Sequence, residues 1–274
     1  MMADIPNIPT IPTVPGTGSS GGSSFDPDAA AYFTRATVTD ATAKQKISDC
    51  FVQLKAASLW TDITQFKIGR SAYNRGSGST VYDCKNAAMD GTIEATGPAW
   101  GVDGLVYDSA QDAVTTPQNQ SMDGSWSAFA VVKDGIGDTA TNRRAIGTNN
   151  ANGATLLFLQ SDDKSITPFG CFDGATAVVS SSGTDATEFH MLGITSSPGL
   201  QTFYDNSTEI DSQTIVLEAG SHAVQMGSSR AANESMTAGV FSVMIIYGAR
   251  RIITAEEATI YGILKATICS DQLP

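Results

Sequence analysis

The body of the chain, from about residue 65 to residue 250, is built of short segments in which apolar and polar positions alternate. Alternation with period two is the pattern of a β-strand that has one buried face. The segments that we assign to strands include SWSAFAVVKD (125–134), EFHMLGITSS (188–197) and FSVMIIYGA (241–249). Turn dipeptides such as Asp103-Gly104 and Asp123-Gly124 separate the segments at intervals of about ten to twelve residues. The pattern predicts an all-β body of two packed antiparallel sheets.

The hydrophobic period changes from two to 3.6 before this body, which predicts helices there. Asp26 followed by Pro27 is a helix-start signal. Thr39 or Asp40 caps a second predicted helix. The apolar face of that helix is formed by Ile47, Cys50, Phe51 and Leu54. Because this helix is amphipathic, we expect it to pack against the body.

A similar change of period after the body predicts a closing helix. Thr254 and Glu257 have the spacing of a capping box at its start. The helix places Ile260, Ile263 or Leu264, and Ile268 on one face. We therefore expect helices only within about 27–60 and 254–268.

The first 24 residues carry a different pattern, with a proline at every third position from residue 6 to residue 15. An apolar β-branched residue precedes each proline. In polyproline II, with three residues per turn, these residues share one edge of a rod. The pattern predicts an anchor that docks on a partner protein, with a disordered spacer as the alternative. The predicted anchor residues are Ile5, Pro6, Ile8, Pro9, Ile11, Pro12, Val14 and Pro15, and residues 16–24 form a flexible tether.

Net charge, hydrophobicity and cysteine spacing limit the kind of protein that this chain can be. The chain has 16 Lys and Arg against 28 Asp and Glu, a net charge of −12, which disfavours nucleic acid and anionic membranes as partners. No stretch has the length and hydrophobicity of a membrane span and the start lacks the pattern of a signal peptide, so we expect a soluble chain. The four cysteines show no CxxC spacing, and we expect them to be mostly buried free thiols.

The sequence shows no recognisable catalytic or metal-binding motif. No strand pattern carries paired carboxylates of the kind glycosidases use. His190 and His222 lack the spacing of zinc ligands, and we expect His190 to be a structural histidine with satisfied hydrogen bonds. No nucleophile elbow or phosphate-binding loop is present. The sequence therefore predicts a protein that is not an enzyme and has no catalytic residues, no metal site and no cofactor.

Aromatic residues supply the remaining candidates for a site. Trp100 lies in the turn-rich stretch GPAWGVDG (97–104), where its ring can face outward, and Tyr204 lies in a predicted strand. Trp126 alternates with Ala128 and Ala130, and we expect it in the core. Trp100 and Tyr204 are therefore the candidate glycan-binding residues, with a core role for Trp100 as the alternative.

Several segments resemble known families. GPAWGVDGLVYDSAQDAVTTP (97–117), EFHMLGITSSPGLQTFYDNSTEID (188–211) and AVQMGSS (223–229) are similar to strands of laminin-G/concanavalin-A-like jelly rolls. The flanks AYFTRATVTDATAKQKISDCFVQLKAASLW (31–60) and FSVMIIYGARRIITAEEATIYGILKA (241–266) resemble bacteriophage virion proteins that place such a jelly roll behind a two-helix neck. The resemblance covers residues 25 to about 268. Asn206-Ser207 replaces the Asp-Gly turn usual in the jelly rolls, which puts a calcium role of that turn in doubt.

The resemblance implies a fold and a division of the chain. The fold is an all-β, concanavalin-A-like (laminin-G-type) antiparallel jelly-roll sandwich with a short N-terminal helical neck and a C-terminal helix. The expected parts are the proline-rich anchor and Gly/Ser tether (1–24), the helical neck (25–62) and the jelly-roll domain with its C-terminal helix (63–274).

The resemblance also implies a function. We expect a phage virion structural protein, a head decoration or fibre anchored through its N-terminal segment, whose partners are capsid or tail subunits and copies of itself. Its jelly roll, exposed on a particle assembled in the host cytoplasm, is expected to bind host surface glycans. A tail-tip receptor-binding, carbohydrate-recognition protein is the alternative, and a glycoside hydrolase comes third.

Overall fold

A computed structural model of the chain describes residues 24–94, 96–108, 113–121, 124–133, 143–148, 157–162, 165–172, 177–179, 184–185, 188–214, 221–227 and 239–274. Within these ranges, the backbone alone is described for 118–121, 143–144, 148, 157–162, 165–172, 177–179, 184–185 and 221–222. The predicted anchor and nearly all of the tether lie outside the described residues. The division of the chain into three parts therefore stays a prediction.

The described residues include three α-helices, α1 (Pro27–Ala36), α2 (Ala41–Ala56) and α3 (Thr254–Ala266). The side chain of Asp26 caps α1 by accepting hydrogen bonds from the backbone N–H groups of Asp28 (3.0 Å) and Ala29 (3.3 Å). Asp40 caps α2 by accepting from the N–H of Ala43 at 2.7 Å. A short 3₁₀ helix, Ala87–Met89, interrupts the body, and the sequence pattern does not predict it.

The strands fall into two sheets. They are, in chain order, β1 (Gln65–Ile68), β2 (Thr80–Val81), β3 (Gly91–Ile93), β4 (Ala99–Trp100), β5 (Leu105–Val106), β6 (Val114–Ser121), β7 (Trp126–Lys133), β8 (Arg143–Thr148), β9 (Leu157–Asp162), β10 (Ser165–Phe172), β11 (Ala177–Val179), β12 (Thr184–Asp185), β13 (His190–Ser197), β14 (Leu200–Asp205), β15 (Thr208–Gln213), β16 (Ser221–Met226) and β17 (Val240–Tyr247). The first sheet has the order β15-β14-β13-β7-β17-β5-β4, with β1 also paired to β17. The second has the order β11-β10-β9-β8-β16-β6-β3-β2, with β12 paired to β10.

Neighbouring strands in both sheets pair antiparallel. The prediction of a mostly-β body of two antiparallel sheets is confirmed. The turn between β14 and β15 places Asn206 (φ 46°) and Ser207 (φ 69°) in the left-handed region, as a two-residue hairpin turn of type I′ requires.

The first sheet is buried on both of its faces. Along β7, Trp126, Ala128, Ala130 and Val132 pack in the core between the two sheets. The intervening Phe129 and Val131 pack in a second core, which includes residues of all three helices. The molecule therefore has three layers, the helices, the first sheet and the second sheet. Double burial explains why the strands SAFAVV and SVMIIY are nearly continuous apolar runs in the sequence.

A buried ion pair ties β1 to the segment that follows β2. The Lys67 ammonium lies 3.1 Å from an Asp83 carboxylate oxygen and donates to the Gln65 side-chain oxygen at 2.9 Å. Both charged side chains are fully buried. Asp83 also accepts backbone N–H bonds from Phe66, Lys85 and Asn86 at 2.8–2.9 Å. Burial lowers the pKa of Lys67, and the charge of Asp83 opposes that shift.

The start of α3 differs from the predicted capping box. Thr254 is already the first helical residue, and Ile253 holds the capping position. The Glu256 carboxylate accepts a hydrogen bond from the Ile253 N–H at 3.1 Å, so the acidic partner is Glu256 and the prediction of Thr254 with Glu257 is wrong. The Thr254 hydroxyl instead lies 3.0 Å from the Tyr204 hydroxyl.

Cys50, Cys84 and Cys269 are buried free thiols, which confirms that prediction for these three. Cys171 is outside the residues whose side chains are described. No helix within the described ranges has the length and apolar character needed to cross a membrane.

Candidate binding site

The hairpin formed by β4 and β5 presents the most exposed large apolar side chain of the described residues. Residues 101–104 connect the two strands, and we call them the hairpin loop. The loop closes on itself because the Gly101 N–H donates to the Gly104 carbonyl at 2.9 Å. A Cβ atom at residue 104 would lie 2.4 Å from the Phe241 carbonyl oxygen, so only glycine fits there.

Every carbonyl oxygen of the hairpin loop accepts a hydrogen bond. Besides the Gly104 bond, the Gly101 oxygen accepts from the Ser71 N–H at 2.9 Å. The Val102 oxygen accepts from Arg70 Nε at 3.2 Å. The Asp103 oxygen accepts from Gln272 Nε2 at 2.7 Å. Donors from two distant parts of the chain therefore fix the loop in one conformation.

Arg70, one of these donors, is itself held in place. Its guanidinium forms a two-pronged ion pair with Asp271 at 2.7 and 2.6 Å and donates to the Ile268 carbonyl at 2.8 Å. It also lies 4.8 Å from the centre of the Tyr73 ring. The hydrogen bonds from Arg70 hold the pKa of Asp271 below its usual value.

The hairpin carries three apolar side chains that are exposed or partly exposed. Val102 is 75% exposed and Val106 is 39% exposed. Trp100 is partly buried against the core between the sheets, and its indole N–H donates to the Gly78 carbonyl at 2.9 Å. The register pairs Trp100 with Leu105 and Ala99 with Val106, so the Trp100 and Val106 side chains lie on opposite faces of the hairpin. We call Trp100 together with Val102 of the loop the hairpin surface. A partly exposed aromatic ring that is held rigidly is a candidate for a binding site, because little conformational freedom is lost on binding.

A second loop, residues 74–79, adjoins the hairpin surface through the bond between Trp100 and Gly78. The buried Asn74 side chain fixes its base by donating to the carbonyls of Ile68 and Tyr82, both at 3.0 Å. Asn74 also accepts from the Arg75 N–H at 2.8 Å. Arg75 is exposed, and its guanidinium donates to the Tyr82 hydroxyl at 3.2 Å.

The other predicted site residues lie elsewhere. Tyr204 is 1% exposed, with its hydroxyl 3.0 Å from Thr254 Oγ1, so it cannot form a platform for a sugar and that prediction is wrong. Trp126 is 1% exposed, which confirms its place in the core. The anchor residues of the segment 5–15 are outside the described residues. Of the two candidates for glycan binding, the structure leaves Trp100.

His190 has a structural role, as predicted. Its Nδ1 atom lies 2.7 Å from an Asp205 carboxylate oxygen and 2.9 Å from Asn206 Nδ2. Asn206 also accepts from the Met191 N–H at 2.8 Å. These bonds tie β13 to the turn after β14. The described side chains contain no group of three or more His, Cys, Asp or Glu placed to hold a metal ion.

Glu257 is a buried carboxyl group that the sequence did not reveal. It lies in the first turn of α3, is fully buried, and neither carboxylate oxygen has a side-chain or backbone partner at hydrogen-bonding geometry. Burial raises the pKa of Glu257 to about 7. The nearby Ser207 N–H lowers this pKa, but too weakly to offset burial, and the charge of Asp205 raises it further.

A small cavity of about 150 Å³ lies between α1 and residues 84–87. Its polar side chains already have partners. Tyr32 donates to the Tyr73 carbonyl at 2.8 Å, Arg35 pairs with Asp90 at 2.7 Å, and Lys85 donates to three backbone carbonyls of residues 60–63 at 2.6–2.8 Å. Because these groups are engaged, the hairpin surface is the better candidate for a binding site.

No protein-family model matches the chain, and no curated protein matches it. Solved structures do. A Trypanosoma rangeli sialidase in complex with sialic acid is similar at a TM-score of 0.56 and 14% identity, over 76% of this chain and 33% of that chain. The binding domain of Paraclostridial Mosquitocidal Protein 1 (TM-score 0.52, 12% identity) matches over 73% of this chain and 52% of its own. The receptor-binding domain of botulinum neurotoxin type G (TM-score 0.50, 13% identity) matches over 73% and 51%.

The fold is a mostly-β sandwich of two antiparallel sheets, and the solved structures that share it include a sialidase and a toxin binding domain. This chain spans about a third of the sialidase and about half of each of the two binding domains. At these identities the likeness concerns the fold alone.

The comparison corrects one prediction. The sequence predicts that the chain is not an enzyme, but the similar structures include sialidases, which cleave glycosides. A fold shared with part of such an enzyme contradicts that prediction. A catalytic site is assembled from residues that lie far apart in the sequence, so the absence of a local motif does not exclude one.

Proposed function

We propose that the chain is a structural protein of a bacteriophage virion, a head decoration or fibre that displays a glycan-binding domain on the particle surface. The resemblance of segments 31–60 and 241–266 to phage virion proteins supports this. On this proposal the two sheets form a concanavalin-A-like jelly roll of the laminin-G type. Helices α1 and α2 are its N-terminal neck, and α3 closes its C-terminal end.

The observation that carries the glycan-binding part is the hairpin surface. An aromatic ring that is partly exposed and held in one orientation suits stacking against the apolar face of a sugar. The bond from Trp100 to Gly78 and the four bonds to the hairpin loop provide that rigidity. The helices cover the other face of the first sheet, which leaves its edge hairpin available to a ligand.

The anchoring part rests on the sequence of residues 5–15. Each of Ile5, Ile8, Ile11 and Val14 would contribute about 1.5–3 kcal/mol when buried on a partner subunit. A polyproline II rod is extended before it binds, so it loses less conformational freedom than a free coil. The partners are capsid or tail subunits, and the protein is a homo-oligomer in the particle.

A second candidate is a tail-tip protein that recognises a carbohydrate receptor. The similarity to the receptor-binding domain of botulinum neurotoxin type G and to the mosquitocidal binding domain favours it. Both candidates predict glycan binding and differ in the position of the protein on the particle. A map of the virion with the protein labelled distinguishes them.

The experiment for the shared part is glycan binding by the purified protein on an array of host oligosaccharides. Trp100→Ala is expected to lower the affinity at least about fivefold, because loss of an aromatic contact at the centre of a site costs more than about 1 kcal/mol. Trp100→Phe keeps a ring and should retain much of the affinity. Val52→Ala, at an exposed valine on α2, is the control and should bind normally.

Each part of this proposal can be overturned by a specific outcome. Absence of binding to every glycan, or binding that Trp100→Ala leaves unchanged, rules out the hairpin surface as a glycan site. Deletion of residues 1–15 should leave the domain folded but absent from assembled particles, and normal incorporation of the truncated protein rules out the anchor. Turnover of a bound glycan would show that the protein is a glycosidase.

A further inference from the structure

We propose that Arg251 and a row of hydroxyl groups on the first sheet form a binding site for a tetrahedral oxyanion, a phosphate or sulfate group. The site lies on the face of the first sheet that carries the helices, near the turn that joins β13 to β14. It does not include the hairpin surface, and it does not depend on the binding of a glycan there.

Four hydroxyl side chains lie side by side across neighbouring strands of the first sheet. The register pairs them in succession, Ser127 of β7, Thr195 of β13, Thr202 of β14 and Ser212 of β15. Directly paired residues point to the same face of a sheet. Ser127 lies two residues before Phe129, which packs in the core that includes the helices, so the four side chains face the helices. We call these four residues the hydroxyl row.

Arg251 lies across the hydroxyl row. Its backbone is held at Ser127, whose hydroxyl donates to the carbonyl of the preceding residue at 3.1 Å and accepts from the N–H of the following residue at 2.8 Å. The Arg251 guanidinium donates through Nη2 to the Thr202 hydroxyl at 3.1 Å. Because β13 lies between the strands of Ser127 and Thr202, the Arg251 side chain passes over Thr195.

Two polar groups in the middle of this arrangement are buried and have no hydrogen-bond partner, Arg251 Nε and the Thr195 hydroxyl. Among the lysines and arginines whose side chains are described, Arg251 alone has a buried nitrogen without a partner. Arg75 and Lys265, by contrast, are exposed to water. Since buried donors without acceptors destabilise a protein, a ligand with acceptor oxygens that reaches both groups is favoured here.

The charge of a suitable ligand follows from the ion pairs nearby. The adjacent Arg250 pairs with both Asp62, at 2.6 Å, and Glu256. Within the described part of the chain, the partly buried Arg251 guanidinium has the neutral Thr202 hydroxyl as its partner and no carboxylate. A partly buried cation without a counter-charge favours an anion over neutral water.

The geometry of the donors indicates the shape of the anion. The guanidinium approaches from above the sheet, and the hydroxyls of Thr195 and Thr202 point up from it. Donors that converge from two directions suit a tetrahedral anion, whereas a planar carboxylate is matched by the guanidinium alone. Phosphate and sulfate are therefore the expected class of ligand.

The hydroxyl row reaches solvent at the edge of the sheet. β15 is the end strand in the order of the first sheet, and Ser212 on this strand is exposed. The Ser212 hydroxyl makes long contacts, 3.5 Å to Thr202 Oγ1 and 3.4 Å to the Gln201 carbonyl. An anion can therefore approach along the row from this edge, with the buried Thr195 at the inner end.

Inorganic phosphate is the probe for this site, titrated into the full chain at constant ionic strength with chloride as the balancing anion. Proton–nitrogen NMR of arginine Nε–H groups reads the contact directly, with the Arg251 resonance assigned by its loss in Arg251→Lys. Phosphate should shift this resonance in a saturable way. The shift is measured on the wild-type protein, so it does not depend on whether a variant folds.

Variants test the two groups separately by calorimetry. Arg251→Gln should lower the affinity for phosphate at least about tenfold, the range expected for loss of charge-assisted hydrogen bonds. Thr195→Val keeps nearly the same shape without the hydroxyl and should lower the affinity about two- to tenfold. Arg75→Gln is the matched control, because the Arg75 guanidinium also donates to a neutral hydroxyl, and it should bind phosphate as the wild type does.

Phosphate and sulfate esters of a hexose, compared with the free anions, identify the source of the anion. Tighter binding of the esters supports a site for the anionic group of a larger ligand, and binding of the free anions alone supports an ion site. Acetate that binds as tightly as phosphate would contradict the tetrahedral class. If phosphate leaves the Arg251 Nε–H resonance unchanged, or if Arg251→Gln binds phosphate as tightly as the wild type, the inference is wrong.

Discussion

Replacing Glu257 by glutamine should change how the stability of the protein depends on pH. The Glu257 side chain is fully buried, and its carboxylate lacks partners at hydrogen-bonding geometry. Its folded-state pKa is about 7, raised first by burial and then by the charge of Asp205, against an ordinary value of 4.5. Two further titratable side chains lie near Glu257 and Asp205. They are Tyr261 and His190, whose Nδ1 lies 2.7 Å from an Asp205 carboxylate oxygen.

The sign of the effect follows from where the proton is held. Below pH 4.5 both the folded and the unfolded chain keep Glu257 protonated, so its ionisation costs nothing. As pH rises towards 7 the unfolded chain loses the proton and the folded chain keeps it, so the free energy of unfolding falls. Above pH 7 the loss levels off at roughly 3 kcal/mol, from 1.36 kcal/mol for each pKa unit.

Urea unfolding at several pH values between 5 and 8.5 measures this. The free energy of unfolding of Glu257→Gln minus that of the wild type should increase by roughly 2–3 kcal/mol over this range. A constant offset from the buried amide does not change that slope. Glu256→Gln, the same change one residue away, is the control, because Glu256 is 28% exposed and pairs with Arg250. Its difference from the wild type should stay nearly flat above pH 5.

Parallel pH profiles for the wild type and Glu257→Gln would refute the reasoning. Glu257 would then ionise in the folded state near its ordinary pKa, which requires water or a rearranged Ser207 turn to reach the carboxylate. If instead the Glu256→Gln difference changes with pH and the Glu257→Gln difference stays constant, the titrating group is Glu256 and the assignment to Glu257 is wrong.

Two further predictions concern the core. Asp83→Asn leaves the Lys67 ammonium buried without its counter-charge and should lower the free energy of unfolding by about 3–5 kcal/mol. Combining Asp83→Asn with Lys67→Met should recover part of that loss. Equal stability of Asp83→Asn and the wild type in urea unfolding would contradict this prediction. In a Cys171→Ser variant the three remaining thiols should not react with a thiol reagent until the protein is unfolded. Burial raises the pKa of Cys50 to about 12, and Cys50, Cys84 and Cys269 are all buried. Rapid labelling of the folded protein would show that a thiol is accessible.

The two-sheet body could be predicted from the sequence because strand signals are local. Alternating residues and turn dipeptides specify strands one at a time, and Asn206-Ser207 specifies a hairpin turn. Cap residues are equally local, and Asp26 and Asp40 mark the starts of α1 and α2. Such signals depend only on residues within a few positions of each other.

The burial of Tyr204 could not be predicted in this way. Its strand, β14, alternates like a strand with one solvent face, and the sequence does not say that α3 approaches from that side. The Tyr204 hydroxyl lies 3.0 Å from the hydroxyl of Thr254, which is fifty residues later in the chain. The helices that cover one face of the first sheet come from distant parts of the chain. A pattern of period two predicts only that a strand is present.

The contacts of Trp100 and Glu257 could not be predicted from the sequence for a related reason. Trp100 looks the same in the sequence whether its turn is free or fixed, and the donors that fix the turn are Arg70 and Gln272. Glu257 lies in the first turn of a helix, and the turn that contains Ser207 comes close to its carboxyl group. In both cases the deciding contact joins residues from distant parts of the chain.

The hydrogen bond between Gln272 and Asp103 has a consequence for the timing of synthesis. The two residues are 169 positions apart, so a ribosome adding 5–20 residues each second needs roughly 10–30 s to make the second after the first. Asp271, the ionic partner of Arg70, is made at the same late moment. During that interval Val102 lies in a loop that lacks these two restraints. The hairpin loop therefore gains two of its restraints, the bond from Gln272 and the ion pair that holds Arg70, only after residue 272 has been made.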